Sequence, residues 1–155
     1  MATVLLEETK QGTNQTKMPR MLVLICEGGG GHKMAGESLR SVFSSSYDVD
    51  VVNVLSDVIH PLDFLRTISS GLFSGEDVYN FLLRKGYHKG VNLWATLGNK
   101  YIHVNQSRIE KYFEKYLAKA KEPYDFVIST MPFINSGIAK ALQKRKTPFI
   151  IVPTD

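Results

Sequence analysis

The stretch "MLVLICEGGGGHKMAGESLRSVF", Met21 to Phe43, constrains this chain most: a continuous apolar run stops at four consecutive glycines and gives way to apolar residues at helical spacing. A segment apolar at every position suits a strand buried on both faces, as in parallel sheets, whereas a half-buried strand alternates. Ala35, Leu39, Val42 and Phe43 then fall on one face of a helix starting near His32. Glycine weakens helices and strands alike, so Gly28–Gly31 predict a loop whose main chain must stay unobstructed. "VDVVNVL", Val49–Leu55, reads as a second strand, which makes a βαβ unit with a right-handed crossover.

The same alternation resumes near the end. "DFVIST", Asp125–Thr130, and "PFIIVP", Pro148–Pro153, read as strands flanking a helix from about Asn135 to Lys144. The segment between, about Pro61 to Glu122, has helical character broken by glycines; its clearest element carries Ile109, Phe113 and Leu117 at four-residue steps and ends before Pro123. The expected architecture is α/β: a Rossmann-like, doubly wound parallel sheet of order β-α-β-(helical insert)-β-α-β. Residues 1–20 read as a flexible polar leader, with an early acidic pair and only a three-residue apolar run, unlike a secretory signal. The domain proper is expected over 21–155. Because "IIVPTD" stops one step past a buried strand, we expect the first half of a longer protein whose carboxyl-terminal domain is absent here.

Composition and charge narrow the function classes. With 155 residues, 43% hydrophobic and 22% charged, the chain has the make-up of one globular domain. A lone cysteine, Cys26, excludes an intrachain disulfide framework or a Cys-rich zinc site, and points to a reducing, cytoplasmic setting. No run approaches the roughly 20 apolar residues of a membrane span, so membrane contact is expected to be peripheral. The net charge of +4 arises wholly between Pro61 and Glu122, which hold ten Lys/Arg and six Asp/Glu. There the basic residues interleave with Trp94 and the apolar clusters "PLDFLRTISSGLF" and "VYNFLLRKGY". That pattern fits an anionic membrane surface, a nucleic-acid surface, or an amphipathic insert whose apolar side is core.

Ligands of such sheets bind beyond the carboxyl ends of the strands, which selects the loops Glu27–His32, Val54–His60, Thr130–Asn135 and Pro153–Asp155. A glycine turn followed by a helix N-terminus favours anions. It is not a phosphate-binding loop of the nucleoside-triphosphatase kind, because Gly31-His32-Lys33-Met34 lacks the required Lys-Ser/Thr ending. The dinucleotide fingerprint also departs, with Lys33 at the third glycine position, although Asp48 or Asp50 sits where a ribose-binding acid would. His32 turns the loop into a candidate active site: a neutral imidazole above the strand ends can take a proton from an attacking hydroxyl. The plainer readings are a histidine that only packs against the loop and, for Cys26, a small strand residue rather than a Cys/His pair.

"GGGGHKMAGESL" after an apolar strand resembles the amino-terminal domain of the monogalactosyldiacylglycerol synthases and the processive diacylglycerol glucosyltransferases. "DFVISTMPFINSGIAKAL" and "TPFIIVPTD" are similar to two further segments of that family, in the same order, over nearly the whole chain after Met21. The resemblance implies the amino-terminal, acceptor-binding half of a GT-B glycosyltransferase, moving a hexose from UDP-galactose or UDP-glucose to diacylglycerol with inversion. It implies His32 as base and Gly29, Gly30, Gly31, Pro132 and Asp155 as substrate-binding residues. Phe64, Leu65, Phe73 and Trp94 in the insert would meet an anionic membrane, with no metal, no cofactor beyond the sugar nucleotide as substrate, and no nucleic acid. Glu27, Lys33 and Met34 depart from the family's usual residues. A non-catalytic nucleotide- or phosphate-binding module is the alternative.

Overall fold

The structure, a computed structural model, describes Lys17–Thr154, so Met1–Thr16 of the expected leader lie outside the described residues. Four parallel strands, β1 (Arg20–Ile25), β2 (Asp48–Asn53), β3 (Phe126–Ser129) and β4 (Phe149–Ile151), form one sheet in the order β2-β1-β3-β4. The helices are α1 (Gly31–Phe43), α2 (Phe64–Ile68), α3 (Gly75–Arg84), α4 (His88–Val104), α5 (Gln106–Lys119) and α6 (Asn135–Arg145). This α/β arrangement is compatible with a Rossmann-like fold.

The apolar run of β1 divides between two layers. Leu22, Leu24 and Cys26 face a core built with Ile109, Phe113 and Leu117 of α5 and Ile138, Ala141 and Leu142 of α6. Met21, Val23 and Ile25 face the other way, against Leu39 and Phe43 of α1. Right-handed crossovers require this: β1 to β2 runs toward one edge, whereas β2 to β3 and β3 to β4 run toward the other, which puts α5 and α6 opposite α1. Phe113 is wholly buried, and burial of such a side chain stabilises by about 1.5–3 kcal/mol.

Three expectations need correction. Arg20 is not leader but the first residue of β1, and its N–H donates to Asp125 Oδ2 at 2.7 Å. Its guanidinium stacks on Tyr124 and bonds Asp50 Oδ2 at 2.6 Å and the Glu122 carbonyl at 2.7 Å, so it ties three segments at the amino ends of the strands. The second strand ends at Asn53, not Leu55, because the Asn53 side chain accepts from Leu55 N and Ser56 N and opens a wide turn closed by Ile59 N–H on the Val54 carbonyl at 2.9 Å. Within the insert, α5 is the crossover helix of the core, α2 to α4 make an outer excursion, and Gly98 lies inside α4 instead of breaking it.

Two close approaches fix the helix positions. At Gly137 a Cβ would stand 2.7 Å from the Gln106 carbonyl, so α6 crosses α5 in contact. At Gly36 a Cβ would stand 2.3 Å from Ile25 Cγ2, so α1 lies directly on β1. Gly36→Ala is therefore expected to cost about 1–3 kcal/mol despite alanine's better helix propensity. Gly98→Ala, which meets nothing within 4 Å, is expected to add about 1 kcal/mol. Urea denaturation of the two variants checks that the signs are opposite.

Candidate functional site

The strand order reverses between β1 and β3, and the loops leaving their carboxyl ends face each other there, which is where open parallel sheets bind ligands. The first loop runs from Cys26 into α1. Gly29 and Gly30 have φ of +75° and +85°, a left-handed pair that residues with a Cβ adopt only under strain. Gly30 is the N-cap of α1 and offers no side chain to cap it, so the first turn presents main-chain N–H groups rather than a hydroxyl or carboxylate lid.

His32 sits in that first turn, half-buried, and two threonines hold it from the opposite loops. Thr130, wholly buried after β3, shares its hydroxyl between the Leu24 carbonyl at 3.2 Å and the His32 carbonyl at 3.3 Å, which pins α1 to both central strands. Thr154, beyond β4, places its Oγ1 2.8 Å from His32 Nδ1 and 3.5 Å from the Thr130 carbonyl. If the Thr154 hydroxyl donates toward that carbonyl, it accepts from Nδ1–H, and the lone pair of Nε2 is the one left for chemistry. A threonine can thus select the tautomer of a general base.

The glycine loop has a neighbour that the sequence does not announce. Helix α3 lies over it and presents Glu76, Tyr79, Asn80 and Leu83, one helical face at spacings of three and four. Glu27 N–H donates to Glu76 Oε1 at 2.6 Å, and Gly29 N–H donates to Asn80 Oδ1 at 2.9 Å, while Asn80 Nδ2 donates to the Glu27 carbonyl at 3.2 Å. Asn53 Nδ2, aimed because its Oδ1 already caps the turn after β2, donates to Glu76 Oε2 at 3.1 Å. The Tyr79 ring sits where side chains on Gly28 and Gly29 would project. Partial burial pushes the Glu76 carboxyl above its ordinary value, and the amides of Glu27 and Gly28 with the Asn53 side chain pull it part of the way back. Lys33 is raised, chiefly through its bond to Glu27 at 2.7 Å on the exposed side of the loop.

Gly29, Gly30, Gly31 and His32 thus stand together at the strand ends. Pro132 is exposed in the facing loop, where Asn135 Nδ2 holds the Met131 carbonyl at 2.6 Å, and Asp155 lies outside the described residues. Cys26 is a buried strand-end residue of the core. In the insert, Phe64 and Phe73 are exposed and Leu65 is half-buried. Trp94 is half-buried, and its Nε1–H donates to the Gly75 carbonyl at 3.1 Å, joining α4 to the start of α3. Sequence reasoning selected the loops that hold Thr130 and Thr154 without giving either residue a role, and it missed Asn53, Glu76 and Asn80. The only local signal was "SGED", a capping box of Ser74 and Asp77 that marks the start of α3 without saying what it covers. Among the described residues no His/Cys/Asp/Glu group could hold a metal, and no helix is long and apolar enough to cross a membrane.

No protein-family model, curated protein or solved structure matches this chain.

Glu76 carries a pH signature. Its carboxyl titrates higher in the folded chain than in the unfolded one, so between those two values the folded state binds more protons and stability falls as pH rises. Lowering the pH from neutrality toward the ordinary carboxylate value is therefore expected to stabilise the wild type relative to Glu76→Gln, which lacks this titration. Urea midpoints of the two proteins across that range check the sign.

Proposed function

We propose that this chain is the acceptor-binding, amino-terminal half of a GT-B hexosyltransferase that moves a hexose from UDP-galactose or UDP-glucose to diacylglycerol on an anionic membrane, with inversion. The observation that carries the reading is His32 at the switch point of the sheet, its Nδ1 within 2.8 Å of Thr154 Oγ1. The resemblance of the three segments after Met21 supports the same class. In the reaction, His32 Nε2 accepts the proton of the acceptor hydroxyl as that oxygen bonds to the anomeric carbon. The bond from that carbon to the UDP oxygen breaks, and UDP leaves with its electron pair. The donor's nucleotide is held by a second, carboxyl-terminal domain.

The membrane side is supported by the insert's outer face. Phe64, Ile68, Leu72, Phe73 and Phe81 are exposed, and α4 turns Leu93, Leu97, Tyr101 and Val104 outward at helical spacing, with Arg84, Lys85, Lys89 and Lys100 among them. Apolar residues with a basic fringe suit the interface of an anionic bilayer. The alternative, a phosphate-binding module without catalysis, has less support, because it gives no role to the contact between His32 Nδ1 and Thr154 Oγ1.

Two measurements test the proposal. Transfer of labelled hexose from either UDP-sugar to diacylglycerol is assayed in phosphatidylglycerol vesicles, with this chain joined to whatever follows Asp155 in its reading frame. His32→Ala is expected to lower turnover by roughly 10²-fold or more, and Thr154→Val by less, with a shifted pH profile. Near-normal turnover of His32→Ala overturns the base, and no labelled lipid from either donor overturns the function. Separately, the double substitution Phe64→Ser with Phe73→Ser is expected to weaken vesicle sedimentation by about tenfold or more without changing the thermal midpoint. Retention equal to the wild type removes these residues from the contact.

A further inference from the structure

The Glu76 carboxylate occupies, at the loop that precedes α1, the kind of position an anionic ligand oxygen would take. One oxygen accepts from the Glu27 amide at 2.6 Å, the other from Asn53 Nδ2 at 3.1 Å, and Asn80 occupies the Gly29 amide at 2.9 Å. These groups come from one helix, and that helix is weakly seated: none of the ten residues of α3 is buried. Its start is tied to the rest of the insert by Gly75 N–H on Asp63 Oδ2 at 2.8 Å and by the Trp94 indole, contacts that do not involve the glycine loop. Polar contacts at a protein surface are individually weak because water competes for both partners, and a ligand carrying more charge than one carboxylate can displace them.

We propose that α3 is an autoinhibitory strap: Glu76 and Asn80 close the Glu27–Gly29 amides, and a phosphate or diphosphate oxygen binds there only when the strap lifts. The contact is competitive. A phosphate oxygen and the Glu76 carboxylate cannot share the Glu27 amide, and the carboxylate also repels an incoming anion. The measured affinity of the loop for phosphate is then its intrinsic affinity reduced by the fraction of molecules in which the strap is open. The shared ligand chemistry is a phosphate oxygen, whether free or on a lipid headgroup. Hexosyl transfer is not assumed, so failure here leaves the His32 result untouched.

The test is amide NMR of the ¹⁵N-labelled chain, titrated in one arm with inorganic pyrophosphate and in a second with short-chain phosphatidylglycerol below its micelle concentration. Glu76→Ala is expected to bind one or both probes at least about tenfold more tightly than the wild type, with shifts centred on residues 27–31. Amide exchange at Glu27 and Gly29 should rise in the variant and fall again with the bound probe. The arm that tightens identifies the source of the phosphate. Equal affinity of variant and wild type in both arms, or shifts away from residues 27–31, overturns the strap. Should Glu76→Ala not fold, Glu76→Gln keeps the side-chain volume, removes the charge and loses the Asn53 bond. It is expected to tighten binding severalfold, and no tightening overturns the proposal.

Discussion

Everything at the candidate site depends on β1 being paired on both sides. Met21–Leu24 hydrogen-bond to β2 and β3 at once, in the registers Val23 to Val51 and Val23 to Ile128, so the strand is wholly inside the sheet. A central strand has no freedom at its end. Its exit loop must leave beside the exit of β3, and the Thr130 hydroxyl closes the junction by donating to the Leu24 carbonyl of β1 and the His32 carbonyl in the first turn of α1. The position of His32 is therefore a consequence of strand order. The imidazole is carried there by backbone pairing and needs only Thr154 to orient it.

The strands and the position of His32 were legible because their signals are local. A fully apolar run that stops at glycine can hardly be read as anything but a buried strand, and a histidine just after the glycines lands in the first helical turn. What could not be read is which surface a periodic helix offers to the core. Leu93, Leu97 and Tyr101 in α4 repeat the spacing of Ile109, Phe113 and Leu117 in α5, yet the first set is exposed and the second buried. Spacing specifies a face, and only the chain path decides whether that face meets the sheet. The glycine quartet was legible as open main chain, but the groups that approach it come from α3, about fifty residues later. Thr154 is 122 residues from the histidine it contacts.

Charge tells a similar story. Two of the middle segment's six acids, Glu110 and Glu114 of α5, are taken up by a cation from outside it, Lys144 of α6, at 2.7 and 2.6 Å. Arg84, Lys85, Lys89 and Lys100 lie on the outer excursion beside its exposed apolar residues. Sequence arithmetic located the excess, and the fold places these four of its cations on the exposed surface of the outer excursion.

Helix α3 belongs to both surfaces. One face, Glu76, Tyr79, Asn80 and Leu83, contacts the glycine loop or the residues beside it, while Phe81 on another face points to solvent among the insert's apolar residues. A rigid helix cannot move at one face and stay still at the other. Whatever binds Phe81 more strongly when α3 is lifted must raise the affinity of the loop for its ligand, and the ligand must return the same free energy to the outer contact. A helix buried by apolar packing would be too costly to lift for such coupling. One held at the loop by a carboxylate, an amide and the edge of a ring is cheaper to lift.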